Sequence, residues 1–79
     1  MSYRITYAPP ADDALRKMSD RVAFESAMAR TIARDPYGHG SSPVGADRDR
    51  REATVAGAII RYNVSATVLI VTVVRLLSF

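Results

Sequence analysis

Residues Arg51–Leu77 read REATVAGAIIRYNVSATVLIVTVVRLL, and this stretch decides the fold. It is dense in Val, Ile and Thr, has no proline, and contains the almost unbroken apolar run Val68–Val74. β-Branched side chains lose χ1 freedom in a helix but pack well on a pleated, half-buried surface. Two interruptions, Ala56-Gly57 and Asn63-Val64-Ser65-Ala66, cut the stretch into strand-length pieces. The pieces predict an antiparallel meander, Arg51–Ala56, Ala58–Val64 and Thr67–Leu77, with the upstream chain covering one of its faces.

Upstream, Tyr3–Ala8 alternates, with Tyr3, Ile5 and Tyr7 on one side and Arg4 and Thr6 on the other, as in a strand. Pro9-Pro10 ends it, because proline cannot donate to a ladder yet suits the first turn of a helix. Ala11, Ala14, Leu15 and Met18 then fall on one helical face, with Asp12 and Asp13 near the positive end of the helix dipole. Asp12–Arg16 and Asp13–Lys17 are i, i+4 pairs in the favourable orientation. Ser19 is a candidate N-cap for a second helix over Arg21–Arg34, which buries Phe24, Ala27, Met28, Thr31 and Ile32 and is stopped by Asp35-Pro36. The expected fold is α+β, in the order β-α-α-β-β-β, a four-stranded sheet with a helical hairpin on one face and the first strand at an edge. Residues 35–50 (DPYGHGSSPVGADRDR) are the one long loop, with three of the four glycines and two of the four prolines.

A chain of 79 residues with 48% hydrophobic residues can bury one core, so residues 1–79 read as a single domain. There is no cysteine and one histidine, which leaves no disulfide framework and no thiolate metal site, and nothing calls for a cofactor. Lack of cysteine fits a cytoplasmic protein. The N-terminus MSYRITYAPP lacks the apolar segment of a secretory signal, and Val68–Val74 falls far short of the ~20 residues of a membrane helix. The net charge of +3 suits nucleic acid or an acidic partner. Its distribution is more telling: after Glu52 no acidic residue occurs, yet Arg61 and Arg75 remain.

Arg61 and Arg75 each interrupt an apolar strand. Alternation groups Ile59, Arg61 and Asn63 on one face, opposite Ile60, Tyr62 and Val64, and puts Arg75 with Val73. If the two arginines meet on the open face they form a cationic spot for phosphate or carboxylate; otherwise they are two ordinary solvent-facing residues. His39, between glycines, is a candidate base or a solvated loop residue. Asp47–Glu52 balances three acids against Arg48, Arg50 and Arg51, so it reads as a solvated run or a binding segment, with Arg51 reaching across the open face. Tyr37 could stack on a base, whereas Tyr62 reads as core.

YRITYAPPADDAL (Tyr3–Leu15), ARDPYG (Ala33–Gly38), GAIIRYNV (Gly57–Val64) and VLIVTVVRL (Val68–Leu76) resemble, in order and spacing, the RelE/ParE superfamily of type II toxin–antitoxin toxins. The resemblance covers essentially the whole chain. It implies a toxin neutralised by a cognate antitoxin, and either translation inhibition by metal-independent cleavage of messenger RNA on the ribosome or inhibition of DNA gyrase. Gly57 and Tyr62 match the family segment, but Ile59 stands where its arginine usually sits, with Arg61 on the same face as the substitute. Arg61 and Arg75 would be the phosphate stabilisers; Arg48, Arg50, Arg51, Tyr37 and His39 are the other candidate contacts. The acid–base Tyr or His that ribonuclease members carry at the C-terminal end is missing. The alternative classes are therefore a non-catalytic binding module, either a gyrase inhibitor or a degenerate toxin kept for partner binding, and a homodimer formed through the apolar last strand.

Overall fold

The structure, a computed structural model, describes residues 2–78. Its elements are β1 (Arg4–Tyr7), α1 (Pro9–Arg16), α2 (Arg21–Arg30), β2 (Ser42–Val44), β3 (Asp47–Val55), β4 (Ala58–Ser65) and β5 (Ile70–Ser78). The meander forms as its composition dictates: β3, β4 and β5 are antiparallel neighbours, and β1 joins in parallel beside β5. The hairpin between β3 and β4 closes at Ala56-Gly57, both with positive φ, the requirement of a tight turn whose twist matches the strands.

Five strands form the sheet, in the order β1-β5-β4-β3-β2, one more than expected. The extra strand comes from the segment read as loop. Ser42 and Pro43 pair with Glu52 and Arg51, and β3 begins at Asp47 rather than Arg51. A three-residue strand containing proline carries almost no period-2 signal, and proline is tolerated there because β2 is an edge. Conversely, Thr67–Leu69 lies outside β5, where Leu69 has positive φ and Val68 is exposed.

The helices differ from expectation at their ends. Asp20, not Ser19, caps α2, its carboxylate accepting from the Ala23 N–H at 3.2 Å. α2 stops at Arg30, since Thr31 leaves helical geometry and its hydroxyl donates to the Ala27 carbonyl. The tight turn that follows buries Ile32 and Ala33 and lets the Ala33 carbonyl accept from the Tyr3 N–H. Asp12 and Arg16 pair at 2.9 Å, whereas Asp13–Lys17 makes no ion pair because Lys17 is already the cap residue of α1.

Both helices cover one face. Ala11, Leu15, Phe24, Met28 and Ile32 pack against Ala53, Val55, Ile60, Tyr62, Val71, Val73 and Leu76. Tyr62 is core, as its alternation predicts, and its hydroxyl donates to the Pro36 carbonyl at 2.6 Å. Burial pushes that phenol above its ordinary value.

Tyr7 lies half-buried in a groove between β1 and α2, near Ile5, Glu25 and Met28. Burial first, then the Glu25 carboxylate, raises its phenol from 10.0 to about 12. The folded chain thus holds this proton more tightly than the unfolded one. The stabilisation is complete below pH 10 and is lost as pH rises through 12. Urea unfolding at the two pH values should show wild type losing about 2 kcal/mol more than Tyr7→Phe across that window; equal losses would refute the assignment.

Candidate nucleic-acid interface on the open sheet face

The face without helices is built by alternation, strand by strand. Arg4 and Thr6 of β1, Arg50, Glu52 and Thr54 of β3, and Ile59, Arg61, Asn63 and Ser65 of β4 point away from the core. On β5 simple alternation fails. Arg61 pairs with Arg75 and Tyr62 with Val73, so Val74 is an extra residue, a β-bulge. The bulge shifts the register so that Val73 and Leu76 are both buried while Arg75 turns outward. Arg75 and Val73 are therefore not on one face, contrary to the strict alternation expected from the sequence.

The bulge brings Arg61 and Arg75 directly opposite each other, and Glu52 is the partner of Arg61 on its other side. Glu52, Arg61 and Arg75 thus form one row across β3, β4 and β5. Arg61 Nε donates to Glu52 Oε1 at 2.8 Å, with 47% and 41% of the two side chains exposed. Among the described residues Arg75 has no carboxylate partner. The next row holds Arg50, Asn63, Thr72 and Thr6, and Arg4 stands beyond it opposite Ile70. Arg50, Arg61, Asn63 and Val74 line a shallow depression beside the arginine pair. In these rows Arg4, Arg50, Arg61 and Arg75 outnumber Glu52, which makes the centre of the open face cationic and suited to oxyanions, while Asp47 and Asp49 border a depression beside Arg50 and Asn63. Among the described residues no metal-binding cluster of His, Asp or Glu occurs, and no helix is long and apolar enough to cross a membrane.

The remaining sequence candidates gather elsewhere. Arg51 is 8% exposed and points to the helix side, not across the open face. Its Nε donates to Ser41 Oγ at 2.9 Å, Nη1 to the Arg48 carbonyl at 2.9 Å, and Nη2 to the carbonyls of Ser41 and Tyr37. The parity of β3, which buries Arg51, Ala53 and Val55, fixes this direction. Arg48 and Arg51 both lie over the Tyr37 ring, at 5.3 and 5.5 Å from its centroid. The Tyr37 hydroxyl donates to Asp49 Oδ1 at 2.7 Å, and this bond, ahead of burial and the Asp49 charge, raises the phenol above its ordinary value. With its face and hydroxyl both engaged, Tyr37 is a tie within the loop rather than a free stacking platform. His39 is exposed, has positive φ, and is separate from the arginine row.

Sequence reading passed over Glu52, counting it within a balanced charged run. The signal was present: a two-residue turn at Ala56-Gly57 places Glu52 opposite Arg61.

No family model matches the sequence, and no curated protein matches it. Among solved structures, a chain of the toxin–antitoxin complex RelBE2 from Mycobacterium tuberculosis is similar over the full length of both chains, with TM-score 0.79 and 17% identity. A chain of the archaeal RelE–RelB complex from Pyrococcus horikoshii OT3 gives TM-score 0.72 at 15% identity, covering 99% of this chain and 96% of that one. The chain therefore has the RelE-like fold.

Proposed function

We propose that the chain is the toxin component of a toxin–antitoxin pair and engages messenger RNA on the ribosome through its open sheet face. The observation that carries this reading is the Glu52–Arg61–Arg75 row, created by the bulge at Val74. The two structures described above are toxin–antitoxin complexes, which supports a cognate antitoxin as partner. Paired guanidiniums stabilise a phosphodiester and, better still, the extra negative charge of its pentacoordinate form. Glu52 is the only carboxylate within this row, and would accept the proton of an attacking 2′-hydroxyl. The leaving 5′-oxygen would take its proton from water, since no His, Tyr or Lys lies on the open face among the described residues.

That last observation favours a second reading, a non-catalytic inhibitor that binds with the same face or acts on gyrase. Induction in a bacterial host, with mapping of messenger RNA 5′ ends, separates the two. Cuts within codons, abolished by Arg61→Gln with Arg75→Gln, are the expected result. Growth arrest with intact transcripts would remove cleavage, and loss of plasmid supercoiling by purified gyrase would then identify the other target. A neighbouring reading frame for a short antitoxin would bear out the pairing.

A further inference from the structure

We propose that Glu52 is the exchangeable counter-ion of the arginine row: a phosphate takes its place on Arg61, so Glu52 sets how tightly phosphodiesters are held. The inference rests on the RNA-engaging reading for its biological substrate, but its chemistry stands on the row alone. The Glu52 carboxylate reaches Arg61 through a single hydrogen bond to Nε, leaving both terminal nitrogens of the guanidinium free of protein partners among the described residues. Both side chains are more than two-fifths exposed, so water screens the pair and it opens readily. On the far side stands Arg75, a cation facing a cation, which is unfavourable without an anion between them. One carboxylate cannot neutralise both arginines. A phosphate group, with more oxygens and the reach to bridge two guanidiniums, can.

The consequence is that a phosphate taking the Nε edge of Arg61 must break the Glu52 pair, and one held by the terminal nitrogens alone sits beside the Glu52 charge. Arg4 and Arg50, in the neighbouring rows, have no such competitor within hydrogen-bonding distance among the described residues. The site is thereby biased toward chains of phosphates that engage several arginines together, and against single small anions that must displace Glu52 unaided.

The test is Glu52→Gln, which keeps the shape of the side chain and removes its charge, probed with inorganic pyrophosphate and with a single-stranded RNA oligonucleotide. The nuclear magnetic resonance signal of the Arg61 Nε–H reports the exchange directly. In wild type it should leave its carboxylate-bonded position as pyrophosphate is added. Glu52→Gln should half-saturate at a concentration about two- to fivefold lower, the range set by the strength of an exposed ion pair. Glu52→Asp, whose shorter side chain withdraws from Arg61, should move the same way by less and guards against a failure of the first variant to fold. Unchanged or weaker pyrophosphate binding in the folded variants, or an Arg61 signal that never moves, would overturn the exchange. If pyrophosphate behaves as expected while RNA binds neither protein, the RNA reading falls and the counter-ion role stands.

Discussion

Arg51→Met is expected to lower the free energy of unfolding by about 3 kcal/mol, a large share of what a small domain possesses. The reasoning is one of unmet partners. Arg51 satisfies a hydroxyl and three carbonyls with one guanidinium, and no carboxylate shares the task. Removing it leaves several of those acceptors without a donor in a half-buried setting, each costing about 1–3 kcal/mol when water cannot reach it. Met fills the stem volume and so isolates the loss of hydrogen bonds from the loss of packing. Arg51→Lys should recover only part of the stability, since an ammonium on a flexible stem cannot span carbonyls that a rigid fork spans. Urea unfolding at constant slope measures both. A change below about 0.5 kcal/mol for Arg51→Met would show that the bonds are made equally well by water.

The same substitution bears on the face opposite. Arg51 ties Tyr37, Ser41 and Arg48 to the sheet and so holds β2 against β3. Losing it should raise amide exchange over residues 37–49 while leaving β4 and β5 protected. Weakening of RNA binding in that variant would then be an effect on Arg50, displaced with its strand, and not on the Arg61–Arg75 pair.

What could be read from the sequence followed from periodicity. The meander, the two helices and the helix-covered side of β4 all rest on strict spacing, and the RelE-like fold came from their order. The features that were not legible break the period. The bulge at Val74 is invisible in IVTVVRLLS because four of the first five residues suit either face, so nothing in the string says where alternation skips. β2 is too short and too proline-marked to alternate. Arg51 was misplaced although it shares the parity of Ala53 and Val55, because a charged residue was assumed to seek solvent when it was needed as a multiple donor. In each case a tertiary demand, for hydrogen-bond donors or for a register shift, overrode local preference.

The Arg61–Arg75 pair yields the prediction whose sign separates function from structure. Arg75→Gln should weaken binding of a single-stranded RNA about tenfold, and Arg61→Gln with Arg75→Gln about a hundredfold, as charge-assisted hydrogen bonds to phosphate are lost. The salt dependence should fall in step, the slope of log affinity against log salt shrinking by about 0.7 for each arginine removed. Stability should move the other way. Arg75 faces Arg61 across β4 and β5 with no carboxylate of its own among the described residues, so removing its charge relieves repulsion. Arg75→Gln should therefore unfold at a urea concentration equal to or higher than wild type, by up to about 1 kcal/mol. A residue kept only for packing or surface solvation would show neither the binding loss nor this gain. Destabilisation by Arg75→Gln, with RNA affinity and salt slope unchanged, would mark the pair as structural and remove the open face as the site of phosphate binding.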